Sequence, residues 1–270
     1  MVVSLPRFYN GPIASLPPAD SLDMKLLLLG TTGYHANDRR QTACLMLPAS
    51  GLVFDAGTGF YRVAKHLQTE TLDVFLSHVH LDHCQGLTYL WDVRAEAPQL
   101  GRVTAYAEPD KLTAIRQHLL AELIFPAMPP LELQTLPAEF KLRDGGRLTH
   151  FPLRHPGGSV GFRIDWPDRS LAYVTDTTAH IDAEYVEKIR GVDLLIHESY
   201  FIDDCPKQAE LTGHSCLSDV VAVAAKAKVG RLVLVHVNPL IEDDASIDLT
   251  AARQVFPKTE LGVDGMAIDF

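Results

Sequence analysis

No run of roughly 18 consecutive apolar residues occurs in the chain, so nothing in it has the length of a membrane-spanning helix. The opening stretch "MVVSLPRFYNGPIASLPPADSLD" places prolines and polar residues where a secretory signal needs an unbroken apolar core, and a soluble cytoplasmic protein is the expectation. Cysteine is scarce as well. Cys44, Cys84, Cys205 and Cys216 match neither a disulfide framework nor paired CxxC zinc ligands, which leaves reduced thiols. Cys84 directly follows His83, yet a free thiol packed in a turn is preferred over a metal ligand. Positive charge is also in deficit. A formal net charge of −10 argues against general attraction to phosphate backbones, so any contact with a polyanion must be local.

No repeat, low-complexity stretch or internal linker divides the 270 residues, and an apolar content of 47 % suffices for one large core. Residues 1–23 read as a Pro-rich arm and 24–270 as a single domain. "MKLLLLGTTG", "TACLMLP" and "GLVFDAGTG" form an opening meander of strands, "FYRVAKHLQTE" has helical spacing, and "LDVFLSHVH" returns to a strand. Further strands are expected in "GRVTAYAEP", "RLTHFPLRH", "VGFRIDW", "SLAYVTD", "VDLLIHESY", "RLVLVHVNP" and "LGVDGMAIDF", with helices around 110–123 and 218–227. Many strands and few helices predict two sheets packed face to face with helices outside. Residues 119–139 are read as a loop or lid, with Phe125, Pro126, Met128 and Pro129 lining the pocket or merely packing a connection.

The segment "FLSHVHLDHCQGL" crowds His78, His80, Asp82 and His83 into six residues. In a strand, residues two apart share a face, so His78 and His80 should project together, with Asp82 and His83 following in the turn. Nitrogen and oxygen donors of this kind suit Zn²⁺ or another first-row divalent ion. One ion cannot use all four comfortably, whereas two ions about 3.5–4 Å apart can, as in hydrolytic two-metal sites. Two ions need further ligands, and three candidates close apolar strand-like runs: His155, Asp176 and His236. His155 is chosen over His150, which lies five positions earlier and faces the other side of a regular strand.

In that order, "HVHLDH", His155, Asp176 and His236 resemble the metallo-β-lactamase fold superfamily over about residues 24–270. The resemblance implies a four-layer αββα sandwich of two mixed β-sheets with outer helices and a site on one edge. It implies that His78, His80 and His155 hold one metal, that Asp82, His83 and His236 hold a second, and that Asp176 bridges them. Two divalent ions, Zn with Mn or Fe as alternatives, would generate the attacking hydroxide between them.

"LLIHESYF" and "LTGHSCLSD" resemble the HEAT-type and HST-type motifs of the ribonuclease Z branch, which also contains small cyclic phosphodiesterases. The likeness makes Glu198 and His214 a hydrogen-bonded pair, with His214 as general acid; Asp82 is counted with them as catalytic as well as ligating. His197 should face away and be structural. In "GTTGYHANDRRQTA", Arg39 and Arg40 either contact a substrate phosphate or are ordinary loop arginines. The family's transfer-RNA-gripping arm is missing between His155 and Asp176, so transfer RNA is not an expected partner. A small-molecule or short nucleic-acid phosphodiester is; the oligomeric state stays open, with a homodimer as one alternative because dimers are common in that family. A lactone or ester hydrolase on the same core, and a metal-binding module without turnover, are the alternative readings.

Overall fold

The computed structural model describes residues 24–203, 205–241 and 243–270; the Pro-rich arm expected at 1–23 lies outside the described residues. The first half of the chain runs through β1 (Lys25–Gly30), β2 (Cys44–Leu47), β3 (Leu52–Phe54), β4 (Thr71–Phe75), β5 (Arg102–Ala107) and β6 (Glu132–Thr135). The second half runs through β7 (Glu139–Lys141), β8 (Arg147–Leu153), β9 (Ser159–Asp165), β10 (Ser170–Val174), β11 (Leu194–Glu198), β12 (Arg231–Val235) and β13 (Thr259–Leu261). A last strand, β14 (Ala267–Asp269), returns to the first sheet. Among the described residues the strands form two seven-stranded sheets, ordered β14-β1-β2-β3-β4-β5-β6 and β13-β12-β11-β10-β9-β8-β7. Both are mixed: β3 to β6 pair in parallel in one, β10 to β13 in the other, and the remaining neighbours are antiparallel.

Side-chain alternation decides the layering. In β11, Leu194 and Ile196 enter the core between the sheets while Leu195 joins the outer cluster, and in β12 Val233 and Val235 go inward while Leu232 and Leu234 go outward. Phe54, Phe75, Phe162 and Tyr173 fill the inner layer. The outer face of the first sheet is covered by α2 (Leu90–Glu96) and α3 (Pro109–Ala114), packing Leu90, Val93 and Leu112 on Val53, Val74 and Leu72. On the other side α4 (Tyr185–Lys188), α6 (Leu217–Ala227) and α7 (Thr250–Val255) bury Tyr185, Val220, Val221 and Ala252. Full burial of a valine or leucine among these is worth about 1.5–3 kcal/mol, so the register is strongly set. The order helix, sheet, sheet, helix is the αββα sandwich that the sequence led us to expect.

Three segments depart from their sequence reading. The proline-rich stretch holds an edge strand, β6, because Glu132–Thr135 finds the free edge of β5 once past Pro129 and Pro130, and β7 begins at its last residue, Glu139. "LGVDGMAIDF" is two strands rather than one: Gly265 turns at φ 83°, and β13 joins β12 while β14 joins β1. "FYRVAKHLQTE" is mostly a 3-10 helix, Thr58–His66. Among the described residues no helix is long and apolar enough to cross a membrane.

Candidate metal centre

Strand ends from both sheets deliver side chains to one edge of the sandwich. β3 leads into Asp55, β4 into the segment 77–83, β10 into Asp176 and β12 into His236; β11 ends on Glu198, and His155 stands in the turn between β8 and β9. Asp55, Asp176 and His236 take left-handed backbones, with φ of 57°, 45° and 55°. Such residues cost roughly 1–3 kcal/mol each and persist only where the surroundings impose them.

His78 and His80 do not share a strand face as expected. β4 stops at Phe75 because the Ser77 N–H donates to Asp55 Oδ1 (2.7 Å) and so leaves the ladder. Both histidines therefore come from an irregular turn, with His80 capping α1 (Leu81–Cys84), and their rings still converge to 4.5 Å.

Seven side chains meet in two overlapping sets. His78, His80, His155 and Asp176 make one group within ligand reach of one another, and Asp82, His83 and His236 make a second. Asp176 spans them. Its Oδ2 lies 3.4 Å from His78 Nε2 and 3.6 Å from His155 Nε2, while its Oδ1 lies 3.2 Å from both His83 Nε2 and His236 Nε2. Asp82 Oδ2 closes the second set at 3.4 Å from His83 Nε2 and 3.3 Å from His236 Nε2.

Hydrogen bonds on the far side of the rings fix which nitrogen each histidine offers. His155 Nδ1–H donates to the Gly213 carbonyl (2.9 Å), and His83 Nδ1–H to Asp55 Oδ2 (2.9 Å). The Ser77 hydroxyl donates to Asp55, so it accepts from His78 Nδ1 at 3.0 Å. Each of these rings then turns a bare Nε2 lone pair inward, and the buried His78 Nε2 has no hydrogen-bond partner among the described residues. Burial, joined by neighbouring histidines, holds His78 well below its ordinary pKa, and burial lowers His80 and His155 too. Burial opposes ionisation of Asp176, but His236, His83 and His78 outweigh it and keep the carboxyl well below the usual range. Burial likewise opposes ionisation of Asp82, and His83 and His236 override it. Burial works against a charged His83, yet Asp176 and Asp82 push it well above its ordinary pKa, so a cation bound there would take the place of that proton. Imidazoles converging on ionised carboxylates are the donor set that divalent cations take. The residues present fit the metals.

A family model described as a β-lactamase superfamily domain matches residues 51–237, more than half of the chain. The chain belongs to the β-lactamase superfamily. Ribonuclease BN of Escherichia coli O1:K1 is 27 % identical over an alignment 310 positions long, which covers 89 % of this chain and 98 % of the relative. The metallo-β-lactamase fold protein YhfI from Bacillus subtilis superposes with a TM-score of 0.76 at 19 % identity, covering 91 % of this chain and 98 % of that one. The short form of human tRNase Z gives 0.70 at 21 % identity, covering 91 % and 98 %. A diphosphatase of the PhnP family gives 0.68 at 22 %, covering 91 % and 96 %. These structural likenesses place the chain in the metallo-β-lactamase fold.

Beside this cluster stands a second constellation. Glu198, wholly buried, accepts from His214 Nδ1 (3.1 Å) and Thr177 N (2.9 Å) on Oε1 and from Ser215 N and Tyr200 N (3.2 Å each) on Oε2. Burial works against a charged His214, yet the adjoining Glu198 carboxylate pushes it up to about 9. A His214 ring nitrogen also comes within 4.8 Å of ligand atoms on Asp176 and His236. With Nδ1 tied to Glu198, Nε2 is the nitrogen that this ring leaves for other partners. His197 is structural as expected, facing away to meet Tyr185 Oη at 3.1 Å.

The structure uses Arg39 and Arg40 differently from the phosphate contacts considered for them. Arg40 is only 2 % exposed; its guanidinium donates to Gly262 O (2.7 Å) and Thr31 Oγ1 and pairs with Asp244 (2.9 Å). Arg39 donates to Ile241 O (2.9 Å) and pairs with the same Asp244 (3.1 Å). Both tie the 31–42 loop to the C-terminal part of the chain, because a buried guanidinium must satisfy its donors locally. Cys84 stays out of the ligand sets, its thiol on Val79 O (3.4 Å) and pushed up by burial to about 12. His150 is likewise outside them.

Sequence reasoning missed Asp55 and Tyr200. Asp55 is completely buried and gathers Ser77, His83 and, across the sheets, Tyr173 Oη (2.9 Å). Its only local signal was an aspartate ending an apolar strand before Gly57.

Proposed function

We propose that this protein is a di-metal phosphodiesterase acting on small or short substrates. The observation that carries the reading is the Glu198–His214 pair standing against a ligand cluster whose bridging Asp176 turns one oxygen to each set. His78, His80, His155 and Asp176 would hold one ion, and Asp82, His83, His236 and Asp176 the other. When bound, such ions supply an ionised water at neutral pH and stabilise charge building on the phosphoryl oxygens.

The chain's own groups supply the rest. Glu198, fixed by three backbone N–H donors, orients His214 and stabilises its imidazolium. His214 holds the proton that an alkoxide leaving group needs, a contribution typically worth 10²–10⁴-fold. Between His155 and Asp176 the chain makes only the β9–β10 hairpin, which supports a compact substrate over transfer RNA. The similarity to ribonuclease BN supports phosphodiester chemistry.

Purified protein loaded with zinc or manganese, given bis(p-nitrophenyl) phosphate beside a panel of lactones, tests the reading. Phosphodiester turnover abolished by chelation is the expected result. Turnover of lactones alone would reject it.

A further inference from the structure

We propose that Tyr34 and Tyr200 form a stacking subsite for a planar ring of the substrate, on the Asp82–His236 side of the centre. This rests on the phosphodiesterase reading above and narrows it to substrates that carry a ring of the nucleobase kind.

The first observation is an outlier of the backbone. Tyr34 sits at φ 62°, a region that a bulky side chain rarely occupies, and the residue is 75 % exposed, its ring meeting only that of neighbouring His35 at 5.5 Å among the aromatic contacts of the described residues. Strain in an exposed residue gains nothing from packing, so its cause lies in what surrounds it. The Tyr34 N–H donates to Asp82 Oδ2 at 2.7 Å, and the Gly33 N–H to Val237 O at 3.1 Å. Gly33 lies so close to the centre that an added Cβ would fall 2.2 Å from His236 Cε1. Residues 33 and 34 are thus laid directly on the second ligand set, and the bond to Asp82 fixes the backbone from which the Tyr34 ring projects into solvent.

The second tyrosine approaches from the other sheet. Tyr200 stacks on His214 with centroids 4.8 Å apart and planes 20° apart, and His214 stacks on His236 at 5.3 Å and 25°. Tyr200 also lies 5.9 Å from the His236 ring. The Tyr34 and Asp82 side chains both act electrostatically on the Tyr200 phenol, so the two tyrosines lie within reach of each other beside Asp82. Two phenols flanking one side of a metal cluster, one exposed and one braced by the general acid, present flat surfaces to an incoming ring. Stacking of a nucleobase on an aromatic side chain is tolerant of base identity and strengthens binding by about tenfold.

The test uses the metal-loaded full chain and two esters with a common leaving group, thymidine 5′-(p-nitrophenyl phosphate) and methyl p-nitrophenyl phosphate. The expected kcat/KM ratio favours the nucleoside ester by about tenfold and moves toward unity in Tyr34→Gly and in Tyr200→Leu. Tyr34→Gly suits the left-handed backbone, so its melting temperature should hold or rise while the preference falls. Calorimetric titration with thymidine 5′-monophosphate against methyl phosphate reads the subsite without turnover. Equal affinities in the wild type, or a preference that survives Tyr34→Gly, overturn the proposal. If neither ester is hydrolysed the phosphodiesterase reading fails, and the titration still decides the subsite.

Discussion

Replacing His214 with alanine removes a ring whose Nδ1 lies 3.1 Å from Glu198 Oε1 and whose pKa, opposed by burial and raised by that carboxylate, stands at about 9. At neutral pH the group is charged, and in the proposed reaction it would hold a proton for the departing oxygen. Its loss should lower kcat about 10²–10⁴-fold for alkyl leaving groups, a barrier increase of about 3–5.5 kcal/mol. For p-nitrophenoxide, which departs without protonation, the loss should be far smaller. Metal content should stay at two ions per chain by elemental analysis, because the ligand sets remain. The pH profile gives a second reading. A general acid works below its pKa and fails as pH rises through it, and cations bound nearby lower that pKa, so the alkaline limb should fall at or below about 9. The limb should be missing from His214→Ala. An equal loss for both leaving groups, or an unchanged limb in the variant, refutes the general-acid argument.

His78→Ala removes a wholly buried ligand from the first set, and metal and activity should disappear together; two ions and a normal rate by metal analysis and assay contradict the assignment. Asp55→Ala strips the outer partner from His83 and should weaken metal affinity about 10–100-fold by competitive chelation. The same change leaves Ser77 N–H and Tyr173 Oη without their acceptor, at about 1–3 kcal/mol each in denaturant unfolding. Unaltered metal affinity counts against the orienting role. Arg40→Ala should lower stability by about 2–3 kcal/mol through the bonds lost at Thr31 and Gly262. Its KM for phosphodiesters should not move, and a large rise would restore Arg40 as a substrate contact.

Much of the fold was legible because alternation is a local signal: Leu194, Leu195 and Ile196 sort themselves between two cores by parity alone. The ligand set was legible for a different reason, since His78 to His83 lie within six residues and the others punctuate strands. What escaped depends on distant partners. Asp55 takes its meaning from His83 and Tyr173, 28 and 118 residues away. Arg40 looked available in a polar loop, but Gly262, 222 residues on, and Asp244 claim it. β6 was hidden because prolines argue for a loop, whereas an edge strand needs only one neighbour, and β5 supplies it.

The division of ligands between the sheets explains why the inner core matters to the chemistry. Asp55, His78, His80, Asp82 and His83 follow strands of the first sheet, while His155, Asp176, Glu198 and His236 belong to the second. Neither sheet can build a complete set alone. Their relative position is held by packing, as in the Phe54–Phe162 stack at 5.0 Å, and by the Tyr173 hydroxyl on Asp55, which is itself the anchor of His83. Asp176 requires the same alignment, since its oxygens lie 3.2–3.6 Å from His78 and His83 of one sheet and from His155 and His236 of the other. Any slide of one sheet on the other therefore opens both ligand sets at once. In a core packed as densely as a crystal such a slide is resisted by many side chains together. The apolar residues between the sheets thus control the site's geometry without touching it, and volume changes at Phe54 or Phe162 should be felt at Asp176.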